Sequence, residues 1–104
     1  MNAMRPIHPG EVLKEELAEI NMSANAFAKA LHVPANRITV ILSGTRSITA
    51  DTALRISFFF GTTPEFWLNL QTSYNLKVAR ESVGKRLEQE VRSFIPTMTR
   101  STHA

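Results

Sequence analysis

Cysteine is missing from all 104 residues, which removes disulfide frameworks, zinc-thiolate sites and cysteine nucleophiles and makes a reducing cytoplasm the natural setting. A long apolar run is missing too. No stretch approaches the ~18 uncharged apolar residues of a membrane span, and the opening MNAMRPIHPGEV has no signal-peptide core, so a soluble, cytoplasmic protein with no membrane partner is expected. There is no phosphate-cradling glycine loop and no nucleophile motif, hence no expected cofactor or small-molecule substrate. His8, His32 and His103 are scattered without a carboxylate at ligand spacing, which argues against a metal site or a general base. Glu15, Glu16 and Glu19 share a helix face with charges that solvate it, and an enzyme is not expected. No run alternates convincingly with period two, so a sheet is not expected either.

Acid is scarce in one region only. The net charge is +3, but residues 1–22 carry Arg5 and Lys14 against four glutamates, whereas residues 23–63 carry Lys29, Arg37, Arg46 and Arg55 against Asp51 alone. The basic excess sits mid-chain, the placement expected of a segment facing a polyanion. The excess is small, so spacing has to carry the functional argument.

What is present is helical. Val12, Leu13, Leu17 and Ile20 recur at three- and four-residue steps behind His8 as cap and Pro9 in the first turn, predicting a helix over 9–21 with an acidic outer face. Ser23 caps a second helix whose inner stripe is Ala24, Phe27, Ala28 and Leu31. Pro34 cannot extend that helix but can open a third, to Leu42 or Ser43, with Ile38, Ile41 and Leu42 inward and Gly44 as its left-handed stop. Thr49 caps a fourth helix through Phe60, ended by Gly61. Thr63-Pro64-Glu65 starts a fifth that runs to about Arg80. Val83, Leu87, Val91 and Phe94 continue a sparse stripe across Gly84, which can break or bend it. The fold class is all-α. The domain is expected over residues 1–80, a helical extension over 81–95 and a disordered tail over 96–104.

Two short helices joined by a tight turn, with a polar face left on the second, meet the requirement for laying a helix in the major groove of DNA. Small Ala28 lets the helices approach. With Ile38 and Ile41 inward, Ala35, Asn36, Thr39 and Val40 turn outward as base-reading candidates. Asn36 can pair bidentately with adenine, and Thr39 or Val40 can lie against a thymine methyl; ordinary solvent-facing residues would look the same at any one of these positions. Arg37 can reach a guanine edge or only a phosphate. Ser23, Asn25, Lys29, Ser43 and Arg46 are placed to hold phosphates, with Ser23 and Thr49 equally explained as helix caps.

HPGEVLKEEL, the turn into NRI, ITADTALR and GTTPEFWLNLQ, in that order, resemble the HigA-type antitoxins, a branch of the Xre, lambda-repressor-like helix-turn-helix family, over about His8 to Tyr74. The resemblance implies a five-helix lambda-repressor-like domain that forms a homodimer and binds a palindromic operator in double-stranded DNA upstream of its own operon. It also implies a partner, a HigB-like toxin of the RelE-like mRNA-interferase type, that the chain neutralises. Carried over by residue, DNA contact falls on Ser23, Asn25, Ala35, Asn36, Arg37, Thr39, Ser43 and Arg46. His32 departs from the glycine usual at that turn, and the extension past Tyr74 is poorly covered. Alternatives are a regulator without a toxin, or a toxin-neutralising module with weak DNA binding.

Phe58-Phe59-Phe60 and Phe66-Trp67-Leu68 cannot all face one core, so some are expected at an interface. The dimer contact is expected around Trp67, Leu70, Tyr74 and Leu76. The competing expectation buries these aromatics within one chain.

Overall fold

The computed structural model describes residues 5–94, and among them every regular element is an α-helix. The expected tail over 96–104, with His103, lies outside the described residues. The helices are α1 (Pro9–Glu19), α2 (Ala24–Leu31), α3 (Ala35–Leu42), α4 (Ala50–Phe60) and α5 (Pro64–Glu90).

Each start has its cap. His8 Nδ1 accepts the N–H of Gly10 at 2.8 Å, while the Glu11 carboxylate accepts the N–H of His8 at 3.2 Å, closing a reciprocal box around the first turn of α1. Ser23, Thr49 and Thr63 each accept an N–H from the first turn they precede. Pro34 stands just outside α3 in extended geometry and does not fill its first helical position, so α3 opens at Ala35 with no side-chain cap. The stops also follow residue chemistry. Gly44 and Gly61 have φ of +81° and +74°, and His32, in place of the usual glycine, is left-handed at φ 60°. α1 ends two residues earlier than the 9–21 expected, because Asn21 also turns left-handed at φ 56°.

The core takes most of the predicted inward residues, Leu13 and Leu17 of α1, Phe27, Ala28 and Leu31 of α2, Ile38 and Ile41 of α3, with Val12, Ala24 and Leu42 partly buried against it, whereas Ile20, beyond the end of α1, is exposed. Ile48, Ala53, Ile56 and Trp67 complete it from the far side. α1 packs on α3 at unusually close range. The carbonyl of Ile41 occupies the space that a Cβ on residue 10 would fill, so only glycine fits there.

Gly84 does not break α5, which is one continuous helix of 27 residues. Glycine in an exposed helix costs only about 1 kcal/mol relative to alanine, and the neighbouring Lys85, Arg86, Leu87 and Glu88 are strong helix formers. The helix stops at Glu90, short of the expected 95, with Val91 in extended geometry. At about 40 Å it accounts for the elongated 57 × 25 × 23 Å envelope.

Candidate nucleic-acid interface

The burial of Ile38 and Ile41 fixes how α3 is rotated, and at 100° per residue the opposite face carries positions 36, 39 and 40, with 35 on its flank. Ala35, Asn36 and Thr39 are exposed, and Val40 is half-buried. Thr39 Oγ1 donates to the Asn36 carbonyl at 3.3 Å. Ser23, Asn25 and Lys29 at the start and outer side of α2, and Ser43 and Arg46 after α3, are all exposed. The Ser23 oxygen is used as the cap of α2 but keeps its proton to donate. Ser43 is more committed: its hydroxyl donates to the Val40 carbonyl at 3.1 Å and lies 2.6 Å from Thr45 Oγ1.

Arg37 has a partner that spacing did not suggest. Its Nη1 donates to Asp51 Oδ2 at 2.7 Å, and Arg55 Nε donates to the same oxygen at 2.9 Å. Arg55 Nη1 reaches back to the Leu31 carbonyl at 2.8 Å, so one carboxylate and two guanidiniums join the end of α2, the start of α3 and the start of α4. Hydrogen bonds from Arg55 first, then Arg37, hold the Asp51 carboxyl below its ordinary range. Asp51 and Arg55 were missed as site residues, although their i, i+4 spacing is visible in the chain.

Two side chains behind the head keep its loops in place. His8 is buried, with Tyr74 edge-on at 4.8 Å and its other ring nitrogen toward the Arg46 carbonyl. Burial pushes its pKa down, opposed by that carbonyl and by the charge of Glu11. Gln71, buried on α5, accepts the Ile48 N–H at 2.8 Å and donates to Asn75 at 3.0 Å. Nothing in the sequence singled out Gln71 except its position one turn after Trp67.

The expected dimer contact needs a correction at Trp67. Its side chain is 1% exposed, with the indole N–H donating to Thr62 Oγ1 at 3.2 Å and the ring edge-on to Phe66 and beside Phe60. A residue enclosed by its own chain has no surface left for a partner. Leu70 and Tyr74 are half-buried, whereas Leu76 is 47% exposed. Among the aromatics Phe58, Phe59 and Phe66 stay exposed, and Phe58 is 86% so.

Five helices with no strand among the described residues, a short packed α2–α3 pair with Ala28 buried and an outward polar face on α3 define a helix-turn-helix protein of the lambda-repressor-like kind. The helix-turn-helix family model matches residues 13–67, more than half of the chain. Virulence-associated protein I of Dichelobacter nodosus is 48% identical over 99 residues, covering 94% of this chain and 87% of its own length. Among solved structures, an addiction module antidote protein of the HigA family from Coxiella burnetii is 62% identical at a TM-score of 0.85, covering 88% of this chain and all of that one. The Pseudomonas aeruginosa antitoxin HigA with the higBA promoter is 42% identical at a TM-score of 0.84, with the same coverage. The chain belongs to the HigA-type antitoxins of the helix-turn-helix family. No helix among the described residues is long and apolar enough to cross a membrane.

Proposed function

We propose that the protein is a cytoplasmic, non-enzymatic antitoxin and autorepressor of a type II toxin-antitoxin operon. It binds a palindromic operator as a homodimer and neutralises a HigB-like, RelE-like mRNA-interferase toxin. The observation that carries the DNA half is the exposure of Ala35, Asn36 and Thr39 on α3, with Ser23, Asn25, Lys29 and Arg46 exposed on the same helix pair and the loop after it. It is supported by the similarity of the chain to a HigA antitoxin whose structure includes the higBA promoter.

In this reading Asn36 reads a base edge, Ala35, Thr39 and Val40 make the apolar contacts beside it, and Arg46 with Ser23, Asn25, Lys29 and Ser43 holds phosphates. The palindrome demands two heads. Half-buried Leu70 and Tyr74 and exposed Leu76 leave α5 the means to pair them, with the stripe Val83 and Leu87 continuing the same helix. Mobility shifts on the inverted repeat upstream of the gene test the repressor half; failure to shift any such repeat at low salt removes it. Co-purification with the protein of the adjacent reading frame, and relief of that protein's RNase activity, test the antitoxin half.

A further inference from the structure

We infer that Asp51 sets the salt dependence of the DNA-binding head: it withholds Arg37 from the phosphate backbone, so that binding draws less on charge. The inference rests on the DNA-binding reading above and concerns which of the basic side chains are available to DNA.

Of the four cations between residues 23 and 63, two converge on a single oxygen, Asp51 Oδ2, at 2.7 Å from Arg37 and 2.9 Å from Arg55. Arg55 would be held without it, because Nη1 already donates to the buried-side carbonyl of Leu31. Arg37 has no second partner among the described hydrogen bonds, so Asp51 alone decides where its guanidinium points. That guanidinium is not remote from the reading face. Asn36, Arg37, Val40, Arg46 and Asp51 line one shallow cleft, and the Arg37 side chain is 40% exposed within it. An unheld arginine there could swing to any phosphate that passes, adding affinity for all sequences alike. The carboxylate is itself 57% exposed on the same cleft and repels phosphate. Asp51 also stands in the first turn of α4, where a carboxylate suits the helix dipole, but neither that nor an exposed ion pair, worth little to folding, requires Arg37 as the partner.

Asp51→Asn removes the charge and keeps the shape. Binding would be measured by fluorescence anisotropy against the operator duplex and against a scrambled duplex of the same length, across a salt series, with thermal melts of every variant. The expected result is a logarithmic salt slope steeper by about 0.9 on both duplexes, equivalent to an extra loss of about 3.5-fold between 50 and 200 mM salt, as one added phosphate contact requires, with the ratio of operator to scrambled affinity near its native value. Arg37→Met in the native background leaves the slope unchanged, Arg37→Met with Asp51→Asn returns it to the native value, and Asp51→Glu restores the native slope. An unchanged slope in Asp51→Asn, with operator binding intact in the native protein, overturns the role of Asp51 and leaves the repressor reading standing. A native protein that binds neither duplex overturns both.

Discussion

The side-chain carbonyl of Gln71 accepts the backbone N–H of Ile48 at 2.8 Å, joining α5 to the loop that leaves α3. Both groups are buried, so the bond replaces water that cannot enter. Gln71→Leu keeps the volume and orphans the Ile48 donor; an expected loss of about 1–3 kcal/mol follows from leaving one buried N–H unpaired, measured by urea denaturation. A loss near zero would mean that the loop finds another acceptor.

Trp67 separates folding from association. Enclosed by Thr62, Phe60 and Phe66, it contributes to the core of one chain, and Trp67→Ala is expected to cost about 3–5 kcal/mol of stability. Leu76, 47% exposed and outside the buried core cluster, should behave in the opposite way. Leu76→Asp should leave chemical denaturation of the dilute monomer nearly unchanged and weaken dimerisation in sedimentation equilibrium. A Trp67→Ala chain that stays folded yet loses self-association as fully as Leu76→Asp would return Trp67 to the interface.

Helix order, caps and the inward stripes were legible because each is a local signal: an oxygen-bearing cap, a proline in the first turn, an apolar step of three or four. Ser23, Thr49 and Thr63 act where they were expected to. The outward set on α3 followed from one rotation, fixed by Ile38 and Ile41. What stayed hidden joins residues far apart in the chain. Arg37 and Asp51 are separated by 14 positions and Ile48 and Gln71 by 23, and no period connects them. Trp67 was misplaced because a run of aromatics shows that some must be exposed without showing which; the crossing of α4 and α5 decides that, turning Trp67 in and Phe58 and Phe66 out.

Gly10 is the point where α1 meets the backbone of α3. A methyl there collides with the Ile41 carbonyl, and backbone cannot step aside as a flexible side chain can. Gly10→Ala should destabilise by about 1–3 kcal/mol or more despite the better helix propensity of alanine. Thermal unfolding checks the sign: a stabilised variant would show that α1 shifts freely on α3.

Stability should fall with acid in two windows. The folded chain holds His8 below the ordinary imidazole range, chiefly through burial, so the unfolded chain takes up a proton first and stability declines as pH drops below about 6.5. Glu11 is lowered to about 2 from 4.5, first by the hydrogen bond from Arg5 and then by the His8 N–H. Its contribution is complete above about 4.5 and is lost as pH falls toward 2. His8→Asn retains an oxygen that can accept the Gly10 N–H and cannot titrate, so it should flatten the upper window alone. Denaturant midpoints against pH report both, and an unchanged upper window in that variant would assign the effect to another group.

Asn36 and Arg46 should fail differently when removed. Asn36 lies on the exposed face of α3 and carries the donor-acceptor pair that matches adenine, so its loss is felt only where the right base stands opposite. Asn36→Ala is expected to cost about 1–3 kcal/mol on the operator and nothing on a scrambled duplex. Arg46 sits beyond the end of α3, exposed, in the loop whose backbone His8 and Gln71 steady from behind. A charge held there meets phosphates whatever the sequence, so Arg46→Ala should weaken both duplexes alike and reduce the salt slope by about 0.9. Anisotropy titrations on the two duplexes distinguish the roles. If Arg46→Ala lowered operator binding alone, the arginine would be reading a base, and the loop after α3 would belong to the recognition surface along with the helix.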